Sequence, residues 1–402
     1  MRMKFNKSGQ LLLVSAASLL VASLVTACST LTVDFVFVTS SKAAGPNNYG
    51  QVDVFEVNSE SGFMRQIPTS PFPSGGRNPV ADAVSTDYTN LYVVNRDDNS
   101  IVQFVIGNDG KLYPQNTVNT PGVYPLAVAV GGSNLFVVDT YQPLPTCSDA
   151  DPCSGSLAVF PVAAASASIP GGALGPPAAN GSLNYWPLSL SGKPNDILLP
   201  TSVTTLASGA DVYVAAYDTT ANTGYVFGFA VGSGGALTPL NGSPFAAGTH
   251  PSAIAGDPSG GHIYVCDSAS GKVLGYTVAG GLLSPISGSP FPAGNQPSAI
   301  AVDASGKFAY VANSLDSTVT AYSIGNGALT RIGSYPAGLQ PVAIGIDPNM
   351  HQFLYTANYL GGNVSGFELN TGGSLLNSQN SPYNSNAQPT AIAAIPHNGS
   401  TK

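Results

Sequence analysis

Three stretches decide the fold: Gly248-Thr-His-Pro251-Ser-Ala-Ile-Ala255, Gly294-Asn-Gln-Pro297-Ser-Ala-Ile-Ala301 and Gly338-Leu-Gln-Pro341-Val-Ala-Ile-Gly345. Each is a Gly-x-x-Pro turn that runs into a short Ala/Ile/Val strand, and looser copies sit at Pro79, Pro125, Pro200 and Pro389. Pro251 and Pro297 are 46 residues apart, Pro297 and Pro341 44. Self-similarity at that period, with only strand and turn signals inside each period, marks a radial array of β-sheets.

A second signal follows each proline by about a dozen residues, again a repeat at fixed spacing. Its copies are Tyr92-Val-Val-Asn95, Phe136-Val-Val-Asp139, Tyr213-Val-Ala-Ala216, Tyr264-Val-Cys-Asp267, Tyr310-Val-Ala-Asn313 and Tyr355-Thr-Ala-Asn358, with a worn first copy at Phe37-Val-Thr-Ser40. A third strand comes next, as in Ser317 to Ile324, and a fourth is often led by Gly-Ala-Leu or a variant, at Gly235, Gly281 and Gly327. The chain starts on a strand of the second type (Val33 to Val38) and ends on one of the first type (Pro389 to Ile395). Pairing those two ends completes one sheet and removes the open edges that invite aggregation. The reading is therefore all-β: a seven-bladed propeller of four-stranded antiparallel blades, closed by the N- and C-terminal strands together. Blade 1 is the closing blade, and blades 2 to 7 begin at Pro79, Pro125, Pro200, Pro251, Pro297 and Pro341.

Residue sizes agree. The first strands alternate Ala with Ile or Val, as expected for sheets converging on an axis with both faces covered. The turns Asp257-Pro-Ser-Gly260, Asp303-Ala-Ser-Gly306 and Asp347-Pro-Asn349 carry aspartates that bond their own backbone. One blade is irregular: Pro125 and Pro200 are 75 residues apart. Its excess falls in a loop at 140–156 and an Ala/Gly/Pro-rich excursion at 163–180. Long loops on a regular scaffold are functional or disordered.

Only 8% of the 402 residues are charged, while 46 glycines and 32 prolines are spread along the chain. That composition suits many tight turns rather than a linker. Residues 1–27 read as a bacterial lipoprotein signal: Arg2, Lys4 and Lys7 are followed by an apolar run from Leu11 to Val25. Leu24-Val25-Thr26-Ala27-Cys28 resembles the lipoprotein cleavage site, which implies a lipid on Cys28 and leaves 28–402 as a single propeller domain. An uncleaved anchor and plain secretion are the alternatives. Without its three N-terminal cations the chain has ten basic against 21 acidic residues, so nucleic acid is excluded as a partner. Export places the protein at the cell envelope, lipid-anchored on the periplasmic side of a membrane or at the cell surface. There Cys147 and Cys153 would form a short-loop disulfide. Cys266, inside a strand, reads as a small buried hydrophobe.

Loops joining the fourth strand to the next first strand share one face with those joining strands two and three. That face of the channel is the default pocket. The residues before the prolines ring its mouth: Asn78, Tyr124, Leu199, His250, Gln296, Gln340 and Gln388. Amides of this kind bond neutral sugars or peptide groups but do not act as acid or base. Charged neighbours on the same face are Arg77, Arg96, Asp97, Asp98, Lys193, Asp218 and Asp316, and Arg77 with Arg96 would make a small anion site. His262 and His351 fall on the opposite face. No cofactor is expected: there is no phosphate loop, no Cys/His metal spacing and no Ser-His-Asp order. Asp149 and Asp151 in the cysteine loop supply too few oxygens for calcium, so no metal is expected either.

At the Tyr-Val-x-Asn strands and the Gly-x-x-Pro turns the chain resembles bacterial surface propellers of YVTN-type repeats. It also resembles the seven-bladed lactonases, whose best-known activity is hydrolysis of 6-phosphogluconolactone. The resemblance runs from Val33 to Ile395. It implies Arg and His directly after the turn proline and Glu after the Tyr-Val-x-Asn strand. Here those positions hold Ser252-Ala253, Ser298-Ala299, Val342-Ala343 and Thr390-Ala391, and Ser314 or Tyr359. On these residues the sequence favours a monomeric binding module for an envelope glycan, peptide or protein partner. A lactonase-like hydrolase of a sugar lactone and a structural surface protein stand as alternatives.

Overall fold

A computed structural model describes residues 32–165, 171–348, 352–385 and 388–397. The signal at 1–27, Cys28, Asn349, His351 and 166–170 of the blade 3 excursion lie outside the described residues. Seven antiparallel sheets form a closed ring. Six run outward in sequence order from an inner strand: Pro79–Val84, Val123–Gly131, Leu198–Thr205, Pro251–Gly256, Pro297–Val302 and Pro341–Ile346. The seventh takes its inner strand, Pro389–Pro396, from the C-terminus and its other strands, beginning with Thr32–Ala44, from the N-terminus. Val36 pairs with Ala394 and Val38 with Ile392 across that closure. Each inner strand touches the next all the way round, from Pro389–Pro396 to Pro79–Val84 and back to Pro341–Ile346.

The two repeat signals turn out to be halves of one hydrogen-bonded junction. The Asp or Asn ending a second strand reaches back to the Gly-x-x-Pro turn: Asp267 accepts the Thr249 and His250 N–H groups at 3.1 and 2.9 Å, and Asn313 accepts the Gly294 N–H at 2.9 Å. The glycine is obligatory because the carboxylate packs on it: a Cβ on Gly248 would stand 2.5 Å from Asp267 Oδ2, at φ +74°. The carbonyl before the proline in turn accepts the N–H just beyond the second strand, as in Ser268 to His250 and Ser314 to Gln296.

Every inner strand is also bulged at the residue after its proline, at Val80, Leu126, Thr201, Ser252, Ser298, Val342 and Thr390. A bulge re-aims one side chain. At three of these positions a hydroxyl bonds across to the next blade: Ser252 donates to the Pro297 carbonyl at 2.5 Å, Ser298 to Pro341 at 2.7 Å and Thr390 to Pro79 at 2.9 Å, whereas Thr201 donates to the Ala215 carbonyl of its own blade at 3.2 Å. Farther out, the second-strand tyrosines repeat the device. Tyr92, Tyr213, Tyr264 and Tyr310 donate to the carbonyls of Gly172, Gly281, Gly327 and Gly373 in the following blade. Apolar clusters between successive blades fill the rest, so each blade interface is its own small core.

The turn aspartates do what turn chemistry demands. Asp303 accepts N–H groups of Lys307 and Phe308, and Asp257 those of Gly261 and His262. The fourth strand departs from expectation. In blades 1, 4, 5 and 7 it is two short segments, both paired to the third strand. They flank the cis bonds Ser70-Pro71, Ser243-Pro244, Ser289-Pro290 and Ser381-Pro382. The serine of each accepts a third-strand N–H, as Ser289 does from Gly275 at 3.0 Å. This Ser-Pro-aromatic repeat is plain in the sequence once the structure has shown its use. In blade 3 the fourth strand shrinks to Trp186–Pro187, whose indole donates to the Leu237 carbonyl of blade 4.

Candidate functional site

Pairing of Pro79 with Asn95, and of its counterparts around the ring, puts the pre-proline residues and the ends of the second strands on one face. Asn78, Tyr124, Gln296, Gln340 and Gln388 take positive φ between 50 and 58°. Their carbonyls must turn toward the second strand while the following proline bars the ordinary helical region. Strain of this kind gathers at functional sites. Asn78 Nδ2 donates to Asp97 Oδ1 at 3.1 Å, while the Gln296 and Gln340 side chains have no hydrogen-bond partner among the described residues. Leu199 lies half-buried at the same level, in blade 4.

Arg77, Arg96 and Lys193, the cations expected at the mouth, are each paired. Arg77 holds Asp98 at 2.6 Å, and the two line a groove of about 430 Å³ with Tyr49, Asn47, Ser100 and Asn119. Arg96 turns the other way, to Asp97 at 3.2 Å, and stacks over the Tyr124 ring at 4.1 Å. The two arginines therefore do not share an anion, and the joint site expected from the sequence does not form. Lys193 pairs with Asp196 at 3.2 Å. Asp218 accepts the Thr220 and Ala221 N–H groups. Burial opposes its charge, but those bonds together with Asp196 and Lys193 hold its carboxyl below the usual range. Asp316 is spent on the Asn295 turn, with backbone and side-chain bonds of 2.7 and 2.8 Å.

What the structure does bring together is an arc of rings across blades 2 to 5. Arg96 lies on Tyr124, and Tyr124 meets Tyr141 edge-on with ring centres 6.2 Å apart. The Tyr141 hydroxyl donates to Asp149 Oδ1 at 3.1 Å, and Asp149 stands 3.9 Å from Arg96. Burial pushes the Tyr141 phenol up, as do the bond to Asp149 and its charge; Arg96 pulls it down, and Tyr217 is near enough to add to the rise. Tyr217 in turn stacks on His250, ring centres 4.1 Å apart. His250 Nδ1 is 3.0 Å from Ser268 Oγ, which donates to the His250 carbonyl, also at 3.0 Å. When the hydroxyl proton goes to the carbonyl, Nδ1 is the donor of the pair and Nε2 keeps its lone pair; the opposite tautomer reverses those roles.

Sequence reasoning placed Arg96, Tyr124 and His250 on this face but missed Tyr141, Tyr217 and Ser268. Arg96, Tyr217 and Ser268 share one signal, the position after the second-strand residue that pairs with the turn proline. Also missed was Asp82, the only carboxylate among the seven inner strands. It accepts the Thr39 hydroxyl at 2.6 Å, and burial pushes its carboxyl up to about 7 against that bond. Cys147 and Cys153 are joined, and Cys266 is buried and free. No cluster of three or more metal-ligating side chains occurs among the described residues.

The chain matches the family described as Lactonase, 7-bladed beta-propeller, over residues 49–160 and 270–397. It belongs to that family. No curated protein matches it by sequence. Among solved structures it is similar to a candidate 6-phosphogluconolactonase from Bacteroides fragilis, at 20% identity and a TM-score of 0.71, covering 91% of this chain and 99% of that one. It is also similar to the periplasmic gluconolactonase of Pseudomonas aeruginosa, at 18% identity and a TM-score of 0.70, covering 91% and 99%. At such identities the likeness speaks for the fold. The expectation of a binding module is corrected by the family match: the alternative reading, a lactonase-like propeller, is the one the family supports. The sequence misled because it tested Ser252, Ser298, Val342 and Thr390 for catalytic groups, and three of those positions hold hydroxyls that join blades.

Proposed function

We propose that the protein hydrolyses a small sugar lactone at the channel mouth spanned by blades 2 to 5. The observation that carries this reading is the arc itself: within a lactonase family, a guanidinium and a histidine stand on one face with three tyrosine rings set between them. Water gives a proton to His250 Nε2 as its oxygen adds to the lactone carbonyl carbon. Arg96 is the cation for the oxyanion that develops. Collapse breaks the ring C–O bond, and the ring oxygen takes the proton back from the imidazolium, so one water is added and a hydroxy acid leaves. The tyrosine rings offer apolar faces to the C–H side of a sugar. Arg96 follows Tyr92-Val-Val-Asn95, where the family resemblance implies Glu, and His250 lies outside the positions that the resemblance pointed to, so this is an altered set of groups.

The same reading places the protein at the cell envelope, exported by residues 1–27 and held by a lipid on Cys28. Its support is the basic and apolar order of the leader and the Cys147–Cys153 disulfide, which suits an oxidising compartment. The first strand starts at Thr32, at the end of the blade opposite the arc, so the mouth would face away from the membrane. The test is initial-rate lactone opening above the spontaneous rate by the purified protein and by Arg96→Met. Turnover lowered about 10²-fold or more in Arg96→Met supports the reading; no turnover by the unaltered protein on any aldonolactone ends it.

A further inference from the structure

Arg77, Arg96 and Lys193 each have a carboxylate, but only one of those carboxylates comes from the 140–156 insertion. Arg77 and Asp98, and Lys193 and Asp196, pair within the turns of the repeat. Asp149 sits in the 140–156 loop that only blade 3 carries, closed by the Cys147–Cys153 bond and pinned by the Ser148 N–H to the Asp151 carbonyl at 3.0 Å. From there it crosses to blade 2. Its Oδ1 accepts from the Tyr141 hydroxyl at 3.1 Å and lies 3.9 Å from Arg96, whose other side is taken by Tyr124 and Asp97. One carboxylate oxygen therefore meets the two donors that an anionic substituent of a substrate would use.

We infer that Asp149 is a specificity-determining residue: the disulfide-tied loop holds a built-in anion against Arg96 and Tyr141, so the site admits uncharged lactones and turns away those with a phosphate or carboxylate substituent. This rests on the lactonase reading for its kinetic consequences, but not for its binding ones. A phosphate dianion brought to Arg96 must displace Asp149 or sit beside it, and like charges about 4 Å apart near a surface cost enough to change affinity by about tenfold or more. An uncharged ring meets no such barrier. The loop supplies the geometry and the disulfide limits how far Asp149 can swing.

The experiment compares the full protein with Asp149→Asn, Asp149→Glu and the double variant Cys147→Ser/Cys153→Ser, each first checked for an unchanged melting profile of the ring. The substrates are glucono-δ-lactone and its 6-phosphate ester. Asp149→Asn is expected to raise kcat/KM for the phosphate ester about tenfold or more, by way of KM, with the uncharged lactone changed less than about twofold. Asp149→Glu should keep the original preference, and the double serine variant should shift part of the way. Equal changes for both lactones, or none, overturn the inference. If none of the proteins opens either lactone, the hydrolase reading fails and the inference is decided by calorimetric titration with inorganic phosphate. Phosphate bound at least tenfold tighter by Asp149→Asn than by the unaltered protein supports it; equal binding overturns it.

Discussion

Blades 5 and 6 keep the repeat intact, and blades 2 to 4 break it. In the intact pair the side chain at each inner-strand bulge is a serine whose hydroxyl fastens the next blade, and the second strand ends on an Asp or Asn fully used by the turn. In the broken arc the bulge residues are Val80, Leu126 and Thr201. None of them has a hydrogen bond to the next blade. The positions around them carry Arg96, Tyr124, Tyr141 and Tyr217. The lesson is a division of labour. Where polar side chains are consumed in joining blades they are unavailable for chemistry, and apart from His250, at the edge of intact blade 5, the chemistry-bearing groups stand where the repeat has lapsed.

The largest expected effect lies in the intact half. Gly248→Val forces a Cβ to within 2.5 Å of Asp267 Oδ2 at a positive φ, so it should cost several kcal/mol (about 3 or more) in denaturant unfolding. Gly181→Ala, just after the blade 3 excursion, has the same backbone sign (φ +62°) but open space around it, and should cost only about 1 kcal/mol. Similar losses at both sites would break the contrast.

Next come two aspartates at equivalent positions. Asp267 in blade 5 accepts N–H groups of His250 and Thr249 and the Ser270 hydroxyl; burial opposes its charge, but these bonds hold its carboxyl below the usual range. Asp139 in blade 3 is starved, with one N–H from Gly122 at 3.1 Å, and burial pushes its carboxyl up to about 7. Asp267 thus contributes stability at pH values above about 4 that is lost on acidification. Asp139 does the reverse: its folded form holds a proton that the unfolded form has lost, so stability is full below about pH 4 and falls as pH rises to about 7. At pH 8, Asp267→Asn should lower Tm, with a loss of about 1.5–3 kcal/mol, whereas Asp139→Asn should raise it. Asp34, pushed up to about 8 by burial and then by Asp347, adds to the decline, so Asp34→Asn should flatten the Tm–pH curve between pH 4 and 8.

The smallest effect separates two tyrosines. Tyr264 donates to the Gly327 carbonyl at 2.9 Å, and Tyr264→Phe should cost about 1 kcal/mol or somewhat more. Tyr355 occupies the same place in blade 7, facing the closing blade, but its buried hydroxyl has no hydrogen-bond partner among the described residues. Tyr355→Phe should be neutral or slightly stabilising. Chemical unfolding of the two variants side by side sharpens or removes the distinction.

Nearly all of the fold was legible because a propeller is written in repeated local signals. Gly-x-x-Pro, Tyr-Val-x-Asn and the strand types at the two chain ends together state the blade number and the closure. The split fourth strands were equally present as Ser-Pro-Phe and Ser-Pro-Tyr, but nothing in the letters says that a serine there will accept an N–H. The site was much less legible. Arg96 and His250 stood in plain view, yet 154 residues separate them, and the rings that stand between them come from two intervening blades. No linear spacing encodes a contact that depends on how the ring is closed. Asp149 illustrates the same limit: in the sequence it is half of a poor calcium site, and only the path of the loop over blade 2 sets it against Arg96.

The central claim is that chemistry belongs to the arc of rings on the mouth face, from Arg96 to His250, and that the turns of the opposite face are scaffold. Two histidines test it most directly: His250, stacked on Tyr217, and His262, which bonds Asp257 at 2.8 Å in a turn on the opposite face. Steady-state hydrolysis of glucono-δ-lactone, corrected for spontaneous opening, should fall about 10²-fold or more in His250→Ala and stay within about twofold in His262→Ala. Equal rates for the two variants, or a loss confined to His262→Ala, would contradict the claim.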